Sequence, residues 1–354
     1  MRKFLKTAGK IVLGIVLVLV VLGVSFFIWL RADQPEVTEC EPGFRLFEHF
    51  DGADCVPETT SKIVVNNAGI SQFFAHVGHP AVVQENSIDR YTAADIPGLY
   101  ERIREVNEGV YDAGRIDSLN SASLELFVEI DVELMITTGL IGSDVGKVIE
   151  TFIPIIVLDP TGSWKEHMQI ASDLIGEREE ADRLIEEYEM RVQILQEQFD
   201  DPSEITISSA RIFTNRTSVQ LPGSFASQII SEVGFTLPEA QLEIAEQFPS
   251  SRIFDLSEER IDLLDADYLF VFGGVSDEEL AYYDNTTGDA IVEAFQNDPL
   301  YGFLRAVEEG NDYEVDLYWS APGIYSAHFV LDDLFRHVAG VDPEEVSPNP
   351  LLLE

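Results

Sequence analysis

The feature that most restricts this chain is its middle. Across residues 164–199 almost every position suits a helix: WKEHMQIASDLIG, a break at Gly176, then EREEADRLIEEYEMRVQILQEQF. Ala181, Leu184, Ile185, Tyr188, Val192 and Leu195 recur at three- and four-residue steps, which lays one apolar stripe along an otherwise charged rod. Residues 179–198 make about 30 Å of helix. Asp201-Pro202 ends the rod, because the residue before a proline is pushed out of the helical region. Strands alternate with helices on both sides of it, so the rod marks the boundary between two halves.

In the first half KIVVNN (62–67) predicts a buried strand, and GISQFFAHVGHP a short helix closing at Gly78. AVV starts a second strand, 95–109 a helix, 121–130 a helix with a serine cap, and VELMITTG and PIIVLDP two more strands. The second half restarts the rhythm. Strands are expected at 204–213, DYLFVFGG (267–274) and YEVDLYW (313–319), with helices at 223–234, 256–264 and 327–340. This alternation predicts an α/β fold of two lobes, each a central, mostly parallel sheet flanked by helices, joined by one long connector helix. The segments are a stub and apolar span (1–31), a lead-in (32–60), an N-terminal lobe (61–175), the connector (176–200), a C-terminal lobe (201–341) and a tail (342–354) expected to be poorly ordered.

The N-terminus fixes the compartment. Residues 11–30 are an unbroken apolar stretch about as long as a bilayer is thick. Four basic residues precede it and one, Arg31, follows, so the body of the chain is placed outside the cytosol, on a single-pass anchor in the cell membrane. A cleaved signal is the alternative, although the run is long for one. Lipid attachment at Cys40 is another, poorly served by Glu39 before it. Beyond residue 31 stand 17 basic and 64 acidic side chains, a charge of −47, which repels nucleic acid and anionic lipid surfaces. Lysine is scarce there too: only Lys62, Lys147 and Lys165. Such a surface suits high salt, where like charges are screened.

The only two cysteines, Cys40 and Cys55, face an oxidising compartment. They flank an alternating run with a turn at Asp51-Gly52, so a disulfide across a hairpin is expected. Closing such a loop stabilises a chain by about 3 kcal/mol in the entropy model. Catalytic motifs are missing: no Gly-x-Ser-x-Gly turn, no phosphate loop with lysine, no His-Glu-x-x-His pair. His76 and His79 lie across a helix end and read as structural rather than metal-binding, and GLIGSDVG (139–146) reads as a cleft loop. No metal site, catalytic residue or resident cofactor is expected.

Six segments stand in order along the chain: CVPETTSKIVVNNAGISQFFAHVGHPAVV, SLNSASLELFVEIDVELMI, the connector, SVQLPGSFASQIISEVGFTLPEAQ, LSEERIDLLDADYLFVF and YWSAPGIYSAHFVLDDLF. Together they resemble the solute-binding proteins of ABC importers, in the branch with a single rigid helical connector that serves iron–siderophore, haem and cobalamin uptake. The Gly-Ser-Phe turn of the fourth is similar to the siderophore-binding branch. Ile130-Asp131-Val132-Glu133 departs from the family's Lys-Pro-Asp turn. The resemblance implies capture of a ferric siderophore without covalent chemistry, and delivery to an ABC permease and its ATPase by a monomer. It implies that Glu125 and Glu259 pair with permease arginines, with Glu258 a neighbouring competitor. Anionic, partly aromatic chelates call for guanidinium groups and aromatic faces at an inter-lobe cleft. The residues placed to supply them are Asn67, Arg90, Tyr91, Arg211, Arg216, Tyr318, Trp319 and Tyr325. Haem or cobalamin on the same architecture, an extracytoplasmic α/β enzyme, and a purely adhesive ectodomain are the competing expectations.

Overall fold

The computed structural model describes residues 39–83, 96–107, 127, 129, 131–138, 149, 151–274 and 285–352. The apolar stretch 11–30 lies outside them, and among the described residues no helix is long and apolar enough to cross a membrane. A small unit at the front is the expected hairpin. Strands β1 (Phe44–His49) and β2 (Gly52–Pro57) pair as a two-stranded sheet, and Cys40 is bonded to Cys55. The turn falls at Phe50 and Asp51, one residue earlier than expected, because Gly52, with φ of +151°, already begins the return strand.

The remainder forms one compact unit with two sheets. Its N-terminal lobe runs β3 (Ile63–Asn66), α1 (Ala68–Val77), β4 (Val82–Val83), α2 (Leu99–Val106), β5 (Leu134–Thr138) and β6 (Ile155–Leu158). The four strands lie in the order β4-β3-β5-β6, all parallel. Ile63, Val64, Val65, Leu134, Met135, Ile136, Ile156 and Leu158 are buried, as a parallel sheet covered on both faces demands. Asn67 caps α1, accepting the Ile70 N–H at 3.1 Å, and Gly78 closes it in the left-handed conformation.

Two helices make the bridge. A capping box between Ser163 and Glu166 opens α3 (Trp164–Ile175), and Gly176 ends it. The connector proper is α4 (Arg178–Gln196), with Ala181, Leu184, Ile185, Tyr188, Val192 and Leu195 buried along the expected stripe. Buried with them is Arg191, which no apolar periodicity announces.

The C-terminal lobe continues with β7 (Ile207–Phe213), β8 (Arg216–Gln220), α5 (Phe225–Val233), α6 (Glu239–Gln247), β9 (Ile253–Leu256), β10 (Tyr268–Gly273), α7 (Asn285–Gln296), α8 (Arg305–Glu309), β11 (Asp312–Glu314), α9 (Ile324–Asp333) and α10 (Pro343–Val346). Its sheet, ordered β11-β10-β7-β8-β9, is mixed. The pairs β11-β10 and β10-β7 are parallel, β7-β8 and β8-β9 antiparallel. Four of its five strands run the same way, as expected, and β8 alone is reversed because Thr214 and Asn215 return the chain at once, without a crossover helix. Two expectations give way. The 256–264 segment is a kinked 3-10 stretch, and YEVDLYW keeps strand geometry only over β11 before a 3-10 turn at Leu317–Ser320.

Within the described tail, Pro343, Ser347, Asn349 and Leu351 are buried. Arg191 donates to the Ser347 carbonyl at 2.8 Å, to the His328 ring at 3.0 Å and to the Asp332 carboxylate, and Asn349 donates to Asp332 at 2.9 Å. A buried guanidinium must have several acceptors, and Ser347 supplies one of them. Because arginine only donates, the His328 Nδ1 facing it carries no proton. Burial and the Arg191 charge hold that imidazole neutral, its pKa well below the ordinary value.

Candidate functional site

In an open α/β sheet, ligands bind beyond the carboxyl ends of the strands, where the strand order reverses. In the N-terminal sheet that point lies between β3 and β5. Asn67 and Thr138 meet there, the Asn67 amide donating to the Thr138 hydroxyl at 2.8 Å. Asn67 therefore holds the start of α1 with one side-chain atom and the neighbouring strand with the other.

In the C-terminal sheet the reversal lies between β7 and β10. Strand alternation puts Ile212 into the lobe's core and turns Arg211 and Phe213, two residues apart, to the other face. The two-residue turn then sets Arg216 opposite Phe213 in the antiparallel register. Both guanidiniums lie over the one ring, Arg211 at 4.9 Å and Arg216 at 4.1 Å from its centre. Each such contact contributes about 0.5–1 kcal/mol where solvent reaches it, and more when water is excluded. Across the reversal, Gly274 follows β10. A methyl group there would stand 2.6 Å from the Arg211 Nε, so glycine is what lets this arginine cross the strand ends. Arg216 also approaches Asp255 at 3.7 Å. The result is a positive edge with an aromatic face, in a body with a large excess of acid.

Behind these edges the two lobes are joined directly as well as through α4. The buried Gln72 of α1 donates to the Ser326 hydroxyl of α9 at 2.9 Å and accepts the backbone N–H of Tyr325 at 3.1 Å. Glycine at 69 and 323 permits this approach. A Cβ on Gly69 would fall 2.2 Å from the Pro322 carbonyl, and one on Gly323 2.3 Å from the Gln72 side chain. The Arg252 guanidinium donates to the Pro160 carbonyl, a further tie between lobes. His76, on α1, sits 2.8 Å from Glu180 of the connector and 3.4 Å from the Tyr325 hydroxyl, and His79 contacts the Thr60 carbonyl. The two histidines thus serve separate contacts.

Three expected ligand residues are interior. Trp319 is fully buried, stacked on Phe270 at 4.4 Å, with its indole N–H donated to Asp333 at 2.7 Å. Tyr318 donates to the same carboxylate at 2.8 Å. Tyr325 is buried against His76, and burial pushes its hydroxyl pKa up to about 12. Trp319 is sealed by the bend after β11 and Tyr325 by packing at the first turn of α9, whereas Tyr318, nearly buried, borders a polar hollow with Asp316, Asp333 and Arg336. Burial also raises Asp333 to about 7, against the pull of its two donors. Arg90, Tyr91, Glu125 and the 139–146 loop lie outside the described residues. Glu259 falls in the 3-10 segment Glu258–Leu264, with its side chain also outside them. Sequence reading missed Phe213 and Gly274. The signal for the first is Arg-Ile-Phe-Thr-Asn-Arg, an alternating pair followed by a two-residue turn.

No protein-family model matches the chain. It is 24% identical over 239 residues to the probable siderophore-binding lipoprotein YfiY of Bacillus subtilis, a match covering 66% of this chain and 71% of that protein. It is 26% identical over 249 residues to the achromobactin-binding periplasmic protein of Dickeya dadantii, covering 69% and 76%. The structure of Staphylococcus aureus SirA complexed with staphyloferrin B superposes with a TM-score of 0.68 at 18% identity, over 83% of this chain and 98% of that one. The chain is thus similar in sequence to two binding proteins and shares the fold of a third.

Proposed function

We propose that this protein captures a ferric siderophore between its lobes and hands it to an ABC permease. The observation that carries the reading is the pair of guanidiniums on Phe213 at the β7-β10 reversal. An anionic chelate offers carboxylate, catecholate or hydroxamate oxygens to such donors and flat faces to such a ring. One relative named for siderophore binding and another named for achromobactin binding support it. Iron arrives within the ligand, so the protein needs no resident metal or cofactor. Closure on the ligand is modest, since the Gln72 contact and α4 both resist hinge bending.

The body stands outside the cytoplasmic membrane, held by residues 11–30. A lipid on Cys40 is the rival tether, but that sulfur is already bonded to Cys55, and the chain has no other cysteine. Glu125 and Glu259 are the permease-facing acids. Titration of the purified protein against ferric siderophores, haem and cobalamin, followed by tryptophan quenching, tests the reading. Saturable binding of ferric siderophores alone is expected, and binding only of haem or cobalamin, or of nothing, overturns it. Deleting residues 1–31 should release the protein from the membrane fraction, and retention would sink the anchor.

A further inference from the structure

A second space adjoins the cation pair. The β7-β8 turn, the segment after β9 and the helix α7 enclose a half-open cavity of about 480 Å³, inside the ~300–1,000 Å³ range of small-molecule sites. Its walls are mainly apolar. Leu256, Ile261, Ile291 and Phe295 each rest one side on the core of the C-terminal lobe and stay only partly covered. Ala290 and Ala294 stand one turn apart on α7, both exposed, and their small side chains leave the room. Phe213 and Arg216 are among the residues that line this cavity, so it opens beside the positive edge at the strand end.

An amphiphile is the ligand that satisfies both. An apolar molecule without charge would gain nothing from the guanidiniums, and a compact anion would leave the recess filled with poorly bonded water. We propose that the recess receives an aliphatic chain carried by the chelate, whose anionic head lies on Arg211 and Arg216. The protein is thus built for acylated siderophores. This rests on the siderophore reading above and narrows its substrate class.

The test uses the full-length protein and ferric complexes of a hydroxamate, a catecholate and a citrate-type chelator, each prepared with and without an octanoyl chain. Affinities are measured by calorimetry for wild type, Ala290→Phe and Ala294→Phe. Both positions are exposed, and melting temperatures confirm folding. For the head group that binds, the acylated form should bind wild type at least about tenfold tighter, the gain from burying roughly two methylenes. In each phenylalanine variant the two forms should bind alike. Equal binding of both forms to wild type, or an acyl advantage that survives both variants, overturns the proposal while leaving siderophore capture intact. If no complex binds in either form, the capture reading fails and this one with it.

Discussion

Two clusters in the C-terminal lobe are built from the same ingredients, aromatic rings and charged groups close in sequence. One is Arg211, Phe213 and Arg216; the other is Tyr318, Trp319 and Asp333. In the first, the charges lie over a ring at the end of a strand, with Arg216 open to solvent. In the second, both aromatic donors close on a buried carboxylate. Both lie on the sheet face that carries Arg211 and Phe270, and the difference is whether a strand ends beside the ring or a helix packs over it. An arginine next to a phenylalanine stays at an open edge only where a strand ends at a topological reversal. A tryptophan next to a tyrosine, one bend further on, fills the core.

Breaking the interior cluster should have the largest effect. Trp319→Ala should cost about 3–5 kcal/mol of stability by urea denaturation, the usual loss for deleting a buried indole. If ligand affinity of the folded protein fell instead, with stability intact, the two clusters would have been assigned the wrong way round.

Asp333 offers a second handle. Its folded pKa, about 7, lies above its unfolded value, so its contribution to stability is full below about pH 4 and is lost as pH rises through 7. Wild type minus Asp333→Asn should therefore decline by as much as about 4 kcal/mol between pH 4 and pH 8 in chemical denaturation. A flat difference across that window would mean the carboxylate is not held in an apolar interior.

The exposed cluster should behave in the opposite sense. Arg211→Ala and Arg216→Ala should each weaken ferric-siderophore binding by about 10–100-fold, or roughly 1.5–3 kcal/mol for a charged hydrogen-bonding group. Melting temperatures should hardly move. A large stability loss with unchanged affinity would make the pair structural. The smallest effect belongs to Asn67→Ala, which removes a helix cap for about 1 kcal/mol. Its readout is the unfolding midpoint, and an affinity loss matching the arginine variants would show that the amide also contacts ligand.

Much of this architecture can be read without coordinates, for identifiable reasons. The strands β3, β5, β6, β7 and β10 announce themselves as short apolar runs because both faces of their sheets are covered. Gly78, Gly176 and Gly234 end helices at the expected places, since each takes the left-handed conformation. The helices α6, α7 and α8 escape notice because their exposed acidic faces and short lengths blur the apolar period. The tail reads as disordered by composition, yet Arg191 needs the carbonyl oxygen of Ser347. That need arises only when α4 and α9 are packed together.

The sequence alone determined the two-halved α/β plan, the connector stripe and the cysteine-bridged hairpin, because periodicity and turn chemistry are local properties of the chain. Only the tertiary structure decided which arginines and aromatics share a surface. Residues 213 and 274 are far apart along the chain and meet through sheet order, while Trp319 is buried by a bend no local pattern reports. Side chains of the same type take opposite roles according to whether a strand ends beside them or a helix covers them.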